Sequence, residues 1–420
     1  MAERERVAIL SGDLLEQAPV APPRPQQEAH SRILCGDSID VLAALPEGMA
    51  HTCVTSPPYW GLRDYGVPPR IWDGSPGCAH RWGPKNRGGR FCERCAAWEG
   101  CLGLEPTPNQ FVQHLVLVMR EVRRVLRDDG TLWMNLGDSF AGTRNLPDGG
   151  DFKPKDLIGI PWRAAFALQA DGWWLRSDIV WAKPNAMPEP IRDRPTRAHE
   201  FVFLLSKSRR YFYDAEAVRE PDKGGRAGNG YVRPERLSYG GHSAPRGQSN
   251  GWVGGAGRNR RSVWQVATQC FRGAHFATFP EGLVEPCILA GSSPTACRTC
   301  GAPWRRIVSS RRLVDGEEAP AGKSDPQREL EQGRAHSRSW ARSGKVLNHR
   351  ETVGWEPSCN HDDPGDRCTV IDPFAGAATT GIVADRHGRN FLGVELSPSF
   401  AEIGRRRLAS KGITTGADAA

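Results

Sequence analysis

Short apolar runs alternate with helical segments along most of this chain, and this alternation constrains the fold more than any other feature. Strand-like runs lie at Ile33–Cys35, His51–Thr55, Thr131–Leu136, Asp178–Ala182, Phe201–Leu205, Thr369–Ile371 and Phe391–Val394. Helical periodicity or a short helical segment is predicted at Ile39–Leu45, Phe111–Leu126, Glu281–Leu289 and Thr379–Arg386. A regular exchange of strands and helices predicts an α/β fold with a largely parallel sheet.

Two motifs follow directly after such runs. The sequence Ser56-Pro57-Pro58-Tyr59 comes after the run that ends at Thr55, and a loop of small residues follows the run that ends at Ile371. Ligands of open α/β sheets bind beyond the carboxyl ends of the strands. Alone, Ser-Pro-Pro-Tyr is equally well explained as a strand-ending turn; the second motif makes a functional site the favoured interpretation.

The first motif has the groups needed to hold an exocyclic amino group of a nucleobase. The lone pair of an aromatic amine is delocalised into the ring, so the amine is a poor nucleophile. Ser56 Oγ and the Pro57 carbonyl would accept its two hydrogens, and the consecutive prolines Pro57 and Pro58 fix the backbone. Tyr59 offers a flat face to a base that has been extruded from the duplex. Catalysis by alignment and hydrogen bonding then needs no covalent intermediate.

The second motif predicts a site for a nucleoside-like cofactor. Small residues from Ala375 to Ala378 let the backbone approach a ligand, and a helix N-terminus presents free N–H groups to its carboxylate. Phe374 would pack on the adenosine, and Glu395, after the next strand, would accept hydrogen bonds from the ribose. The predicted cofactor residues of this half are Asp372, Phe374, Gly376, Thr379, Thr380 and Glu395.

In this order along the chain, the two motifs resemble those of the permuted class of amino-directed DNA methyltransferases, which modify adenine N6 or cytosine N4. The resemblance covers most of the chain from Ile33 to Leu408. It implies a Rossmann-like methyltransferase fold, S-adenosylmethionine as the methyl donor and double-stranded DNA as the partner. By the same resemblance, Asp37, Phe276 and Thr278 complete the cofactor pocket, and the segments Trp181–Asn185 and Arg197–Glu200 flank the pocket of the target base.

The base that is modified is predicted from the first residue of the motif. Family members with serine at this position more often modify cytosine N4, and those with aspartate more often modify adenine N6. Ser56 therefore favours cytosine N4, with adenine N6 as the alternative. Carbon-directed enzymes would need a reactive thiolate, usually in Pro-Cys. The Pro286-Cys287 pair lies inside a predicted helix, so we expect a buried structural cysteine.

The loop departs from the family pattern at Ala378, which replaces a glycine. If this position has positive φ, alanine is strained there, and if φ is negative the change is nearly harmless. A zinc-dependent DNA-binding protein with a decayed methylase core is therefore a second hypothesis.

Two Cys/His segments indicate metal sites. Three of the chain's 12 cysteines and one histidine form a first group, and a second group repeats this composition in reverse order. Each group has three cysteines and one histidine, the ligand set of a structural zinc site. The predicted ligands are Cys78, His80, Cys92 and Cys95 in the first site and Cys297, Cys300, Cys359 and His361 in the second. Cys101 is an alternative ligand for the first site.

Charge and composition suggest how these parts are organised. The net charge of +8 and the pI near 9.0 suit a polyanion partner. An arginine-rich segment at 221–262 and the first Cys/His segment are the candidates for contact with DNA. No apolar run approaches the length of a membrane span, and reduced cysteines suit the cytosol; the oligomeric state is not indicated. The predicted divisions are a disordered tail (1–30), the first catalytic half (31–77), zinc insert 1 (78–101), the continued core (102–220), the basic loop (221–262), a cofactor-pocket segment (263–296), zinc insert 2 (297–361) and the cofactor-binding half (366–410).

Overall fold

A computed structural model describes the chain over residues 30–86, 88–142, 152–220, 257–269, 278–314, 317–318 and 346–415. The strands of these residues are β1 (Ser31–Cys35), β2 (Ala50–Thr55), β3 (Arg70–Trp72), β4 (Gly89–Phe91), β5 (Trp98–Gly100), β6 (Leu126–Leu136), β7 (Trp174–Ala182), β8 (His199–Ser206), β9 (Val263–Gln265), β10 (Arg305–Val314), β11 (Glu317–Glu318), β12 (Val346–Glu356), β13 (Thr369–Asp372) and β14 (Asn390–Glu395). The helices are α1 (Ser38–Ala43), α2 (Pro108–Val125), α3 (Ile160–Ala170), α4 (Glu281–Gly291), α5 (Thr379–Arg386) and α6 (Pro398–Ala409).

An eight-stranded sheet forms the centre, with the strand order β1-β14-β13-β2-β6-β8-β7-β9. Within this sheet only β8 runs against its neighbours, and the other adjacent pairs are parallel. The carboxyl ends of seven strands therefore meet at one edge. The expected α/β architecture with a largely parallel sheet is present.

Helices cover both faces of this sheet. One buried cluster joins α1, α2 and α3 to strand residues such as Cys53 and Leu132. The other joins α4, α5 and α6 to the alternate strand residues, such as Val54 and Trp133. Adjacent residues of one strand point to opposite faces, so apolar residues throughout a strand fit a sheet buried on both sides.

Helix α2 shows how local sequence fixes an element here. Its N-cap residue Thr107 accepts a hydrogen bond from the Gln110 backbone N–H at 3.2 Å, and Pro108 occupies the first turn, where no N–H partner is needed. Apolar residues repeat at helical spacing from Phe111 to Val125 and are buried against the sheet.

Two small antiparallel sheets lie outside the central one. Strands β3, β5 and β4 form the first, in the region of the first Cys/His segment, and β10, β11 and β12 form the second. The second lies between Cys300 and Cys359, where the sequence analysis predicted no strand. Instead β10 pairs with β12, with Arg305 opposite Glu356.

Helices α3 and α6 were also not anticipated. In α3, apolar and alanine residues occupy most positions, so no single stripe marks a helix. In α6, three consecutive arginines from Arg405 to Arg407 obscure a narrow buried stripe of Ala401, Gly404 and Leu408. Among the described residues, no helix combines the length and the apolar character needed to cross a bilayer.

Candidate active site

The two sequence motifs meet at the carboxyl edge of the central sheet. Strand β13 pairs with β2 in parallel, with Ile371 opposite Cys53. Thr55 and Asp372 therefore end neighbouring strands, and the Thr55 hydroxyl donates a hydrogen bond of 2.6 Å to Asp372 Oδ1. Residues 317 positions apart in sequence are brought into direct contact.

A cavity of about 590 Å³ opens at this edge. Both motifs contribute to its wall, together with the segments expected to flank a target base. The predicted site residues that line the cavity are Ser56, Pro57, Pro58, Tyr59, Asp37, Thr278, Phe374, Gly376, Thr379 and Glu395. Trp181, Lys183 and Glu200 also line it, as does Asn135, which the sequence analysis did not single out. Phe276 lies outside the described residues.

Asp372 and Thr380 lie behind this wall rather than on it. Asp372 is 1% exposed, and it accepts hydrogen bonds from Thr55, from Thr380 Oγ1 at 2.7 Å and from the Phe374 N–H at 3.1 Å. Burial raises the pKa of Asp372 to about 6, against the opposite effect of these hydrogen bonds. The carboxyl group ties β13, β2 and α5 together, so it shapes the loop that borders the cavity.

Ala378, where the family pattern has glycine, adopts φ 56° and ψ 37°. A left-handed conformation costs a non-glycine residue about 1–2 kcal/mol. Glycine would relieve this strain, but it would add about 0.5–1 kcal/mol of unfolded-chain entropy. It would also remove a fully buried methyl group, which contributes about 0.8 kcal/mol. These terms nearly cancel, so the alanine is compatible with a stable loop.

Two carboxylates border the cofactor half of the cavity. Glu395 accepts hydrogen bonds from the Gly376 N–H at 2.9 Å and the Ser397 N–H at 2.8 Å, and burial raises its pKa. Asp37 caps α1 by accepting from the Ile39 N–H at 2.9 Å, and it forms an ion pair of 2.8 Å with Arg70. The N-cap role of Asp37 and a role in ligand binding are compatible, because a carboxylate has several acceptor positions.

A chain of polar groups borders the other half. Ser56 Oγ donates to Tyr59 Oη at 3.2 Å, and Tyr59 Oη donates to Glu200 Oε2 at 2.7 Å. Asn135 Nδ2 donates to the same carboxylate oxygen at 2.9 Å, and Lys183 Nζ forms an ion pair with the other oxygen. Because β2, β6 and β8 are adjacent, groups from three strand ends converge here.

The predicted metal ligands form two compact groups. In each group the ligand atoms lie within 4.8 Å of one another, and the members are Cys78, His80, Cys92 and Cys95, then Cys297, Cys300, Cys359 and His361. Tetrahedral zinc with bonds of about 2.3 Å to sulfur separates its ligand atoms by about 3.8 Å, so a small contraction would fit the ion. The prediction of Cys101 as an alternative ligand is wrong. Cys101 is not in the first group, and its Sγ donates to the Val67 carbonyl at 3.4 Å.

The second Cys/His group is attached to the opposite, amino-terminal end of the sheet. His51 Nδ1 accepts from the Thr369 N–H at 2.9 Å, which leaves Nε2–H to donate to the Gly301 carbonyl at 2.9 Å. Arg127 donates to the Cys300 carbonyl at 2.5 Å. The first group instead adjoins β3, β4 and β5. Trp72 of β3 and Gly100 of β5 line the cavity.

Cys287 is located as expected for a structural residue. It lies inside α4, it is 2% exposed, and burial raises the pKa of its thiol. It is not among the residues that line the cavity. A carbon-directed mechanism based on this thiol is therefore excluded by its position and its protonation.

In the described part of the basic loop, the arginines contact acidic or aromatic side chains. Glu220 binds Arg258 at 2.8 Å and Arg261 at 3.0 Å, and the Arg260 guanidinium lies 4.5 Å from the centre of the Trp264 ring. The remaining arginines expected to contact DNA in this loop lie outside the described residues: Arg226, Arg233, Arg236 and Arg246.

This chain is similar to known DNA methyltransferases. A family model described as DNA methylase matches residues 50–298 and 362–406. The chain is 36% identical over 392 residues to the type II methyltransferase M.Cfr9I of Citrobacter freundii, covering 89% of this chain and 86% of the relative. It is 35% identical over 403 residues to M.XycI of Xanthomonas campestris pv. cyanopsidis, covering 92% and 90%. Among solved structures it is similar to the PvuII DNA methyltransferase (cytosine-N4-specific), with 15% identity, a TM-score of 0.46, and coverage of 91% and 89%.

The central sheet, its covering helices and the cavity at the carboxyl edge define an α/β protein of the Rossmann-like methyltransferase class. The chain belongs to the DNA methylase family, the N6/N4 amino methyltransferases of DNA. The resemblance to amino-directed DNA methyltransferases, inferred from the Ser56 and Asp372 motifs, is thereby confirmed, as is the Rossmann-like methyltransferase fold.

Proposed function

We propose that this protein transfers a methyl group from S-adenosylmethionine to the exocyclic N4 amino group of cytosine in double-stranded DNA. The observation that carries the proposal is the position of Ser56, which lines the same cavity as the small-residue loop after Asp372. An amine held at Ser56 and a donor held at that loop would share one enclosed space. Alignment of two reactants in this way lowers the barrier without covalent catalysis.

The cofactor would occupy the half of the cavity formed by α1, α5 and the ends of β13 and β14. Bound there, S-adenosylmethionine supplies an activated methyl group. Phe374 offers an apolar face for the adenine ring, Glu395 offers acceptors to the ribose, and the first turn of α5 offers N–H groups to the carboxylate. These residues and Asp37, Gly376, Thr278 and Thr379 are the proposed cofactor contacts.

Cytosine is favoured over adenine because the motif begins with serine. The direct test is incubation of the purified chain with S-adenosylmethionine and unmodified DNA, followed by mass spectrometry of the nucleosides. N4-methylcytosine supports the proposal. N6-methyladenine would retain the site and overturn the choice of base, and no methylated nucleoside would favour a DNA-binding protein with a decayed core.

Ser56→Ala should reduce the rate of methyl transfer by about 10²–10³-fold, the usual effect of removing one preorganised hydrogen-bonding group. Cofactor affinity should be unchanged, because the side chain faces the amino-group half of the cavity. Single-turnover kinetics and calorimetric titration with S-adenosylmethionine measure the two quantities. Ser410→Ala, at the exposed end of α6, is the matched control and should behave as wild type. A Ser56→Ala protein that methylates normally would contradict the assignment of the site.

We also propose one structural zinc ion in each Cys/His group. All four ligands of each group are protein side chains, which is typical of a closed structural site rather than a catalytic one. The small sheet β3-β5-β4 has little core of its own, so metal binding would contribute to its folding.

Elemental analysis of the purified protein should find two zinc ions per chain, one for each group of four ligands. Cys92→Ser and Cys300→Ser should each remove one of them, whereas Cys101→Ser should remove none. A full complement of zinc in Cys92→Ser, or no zinc in the wild-type protein, would contradict the assignment.

Double-stranded DNA is the proposed partner, with the basic loop at 221–262 and the first Cys/His segment as the proposed contact regions. In the second region, Arg81 and Arg90 form ion pairs with Glu93 and Glu99. If these arginines exchanged the glutamates for DNA phosphates, the affinity for DNA would depend strongly on salt concentration.

A further inference from the structure

The hydrogen bonds that link Ser56 to Glu200 have a defined direction. A carboxylate only accepts, so Tyr59 must donate its single hydroxyl hydrogen to Glu200 Oε2, at 2.7 Å. Tyr59 Oη then accepts from Ser56 Oγ, at 3.2 Å. With its own hydrogen directed to Tyr59, Ser56 Oγ has lone pairs left to accept, and Ser56 lines the cavity. The serine is thus prepared to accept a hydrogen from the substrate amine.

The carboxylate at the end of this chain is held from two further sides. Lys183 Nζ is paired with Glu200 Oε1, and Asn135 Nδ2 donates to Oε2 at 2.9 Å. Asn135 must present its NH₂ group here, and its Oδ1 is left buried without a hydrogen-bond partner among the described residues. An amide orientation that leaves an acceptor unsatisfied indicates that the carboxylate fixes the whole cluster.

Methylation of an amine leaves one proton too many on the nitrogen, and an alcohol such as Ser56 is a weak base. We propose that Ser56, Tyr59 and Glu200 form a proton relay, in which Glu200 is the final acceptor. This inference rests on the proposed methyl transfer to an amino group. Ser56 and Tyr59 would carry the proton, and Glu200 would accept it through them.

The relay conserves atoms and charge at each step. The amine nitrogen forms a bond to the methyl carbon as the carbon–sulfur bond of the donor breaks, and the sulfur keeps the electron pair as a thioether. The nitrogen loses its extra proton to Ser56 Oγ, Ser56 passes its original hydrogen to Tyr59 Oη, and Tyr59 passes its own to Glu200 Oε2. The products are a neutral methylated amine and a neutral carboxylic acid. Burial and the charge of Glu200 raise the pKa of Tyr59, so the phenol releases a proton only as it receives one.

Glu200→Gln keeps the size of the side chain but removes the basic oxygen. We expect its single-turnover methylation rate at saturating DNA and cofactor to fall by about 10²–10⁴-fold, the range of general acid–base contributions. DNA affinity and cofactor affinity should be unchanged, and Tm should fall because Lys183 loses its ionic partner. Tyr59→Phe should cause a similar loss, and the double variant should lose no more than the single ones, because both changes interrupt one pathway. Glu121→Gln, which alters a carboxylate paired with Arg124 on α2, is the matched control.

Chemical rescue distinguishes the relay from a structural role. Glu200→Ala should regain activity as formate is added, whereas chloride at the same ionic strength should have no effect. Equal rates for Glu200→Gln and wild type would overturn the relay. So would a loss of rate that is matched by losses of DNA affinity and cofactor affinity, or an Ala variant that formate does not rescue. Failure of the proposed function is distinct, because the wild-type chain itself would then form no methylated nucleoside.

Discussion

Replacing His114 by alanine should lower the free energy of unfolding by about 3–5 kcal/mol, the usual cost of breaking a buried ion pair by removing one partner. His114 lies on the core-facing side of α2 and is fully buried. Its Nδ1 is 3.0 Å from Glu105 Oε1, and its Nε2 is 2.9 Å from Asp73 Oδ2. Without the imidazole, the buried carboxylate of Glu105 would face an empty space.

The ring also stacks with two indoles. Trp72 stacks on it with centroids 4.3 Å apart, and Trp98 lies at 5.6 Å on the same stack. Burial alone would lower the pKa of His114, but the hydrogen bonds and charges of Glu105 and Asp73 outweigh it and raise the pKa. Burial raises the pKa of Glu105 in turn, and protonation of His114 would be favoured by the two carboxylates and the two aromatic rings.

This cluster connects the first Cys/His segment to the catalytic corner. The Glu105 carbonyl accepts a hydrogen bond from Trp60 Nε1 at 2.9 Å, and its Oε2 accepts from the Gly103 N–H at 2.7 Å. Trp60 directly follows Tyr59, so loss of His114 should also disturb the Ser56 motif. We therefore expect reduced methylation in addition to reduced stability.

Urea unfolding measures the change in stability. The matched control is His387→Ala, because His387 also pairs with a carboxylate, Glu285 at 2.8 Å, but in a partly exposed position. An exposed pair contributes about 0–1 kcal/mol, so this variant should remain close to wild type. Similar, small effects of both substitutions would show that the His114 cluster does not stabilise the fold.

The sequence predicted the positions of the strands and of the two motifs because both depend on local pattern. An apolar run followed by Ser-Pro-Pro-Tyr, or by Asp and a series of small residues, marks a strand end without knowledge of its neighbours. Parallel pairing of β13 with β2 then brings the two strand ends together. The two Cys/His groups were predicted for the same reason, since paired spacings of cysteine and histidine are local.

The polar clusters were not predicted because they depend on contacts between distant segments. Asn135 lies within an apolar strand and meets Tyr59 and Glu200 only because β6 lies between β2 and β8. His114 shares the apolar stripe of α2, and a histidine in such a stripe was the available signal. Its carboxylate partners lie 9 and 41 residues away, in segments without regular periodicity.

Asp372→Asn should become more stable relative to wild type by about 3 kcal/mol as the pH rises from about 4 to about 6. Burial raises the pKa of Asp372 from 3.8 to about 6, so in this range the folded wild-type protein binds more protons than the unfolded chain. Stability from this group is fully present below pH 3.8 and is lost as the pH rises through about 6. Asparagine does not titrate, so the difference between the two proteins isolates the carboxyl group.

His51 has the opposite effect in nearly the same range. Burial, and then the charge of Arg127, lower its pKa from 6.5 to about 4, so stability from His51 is lost as the pH falls below 6.5. In the wild-type protein the pH dependences of stability from Asp372 and His51 oppose each other. Removing one of the two groups should therefore expose the pH dependence that the other group causes. Urea unfolding of wild type, Asp372→Asn and His51→Asn across this range gives the difference curves. We expect opposite slopes for the two variants, and a flat difference for Asp372→Asn would show that its carboxyl group has an ordinary pKa in the folded state.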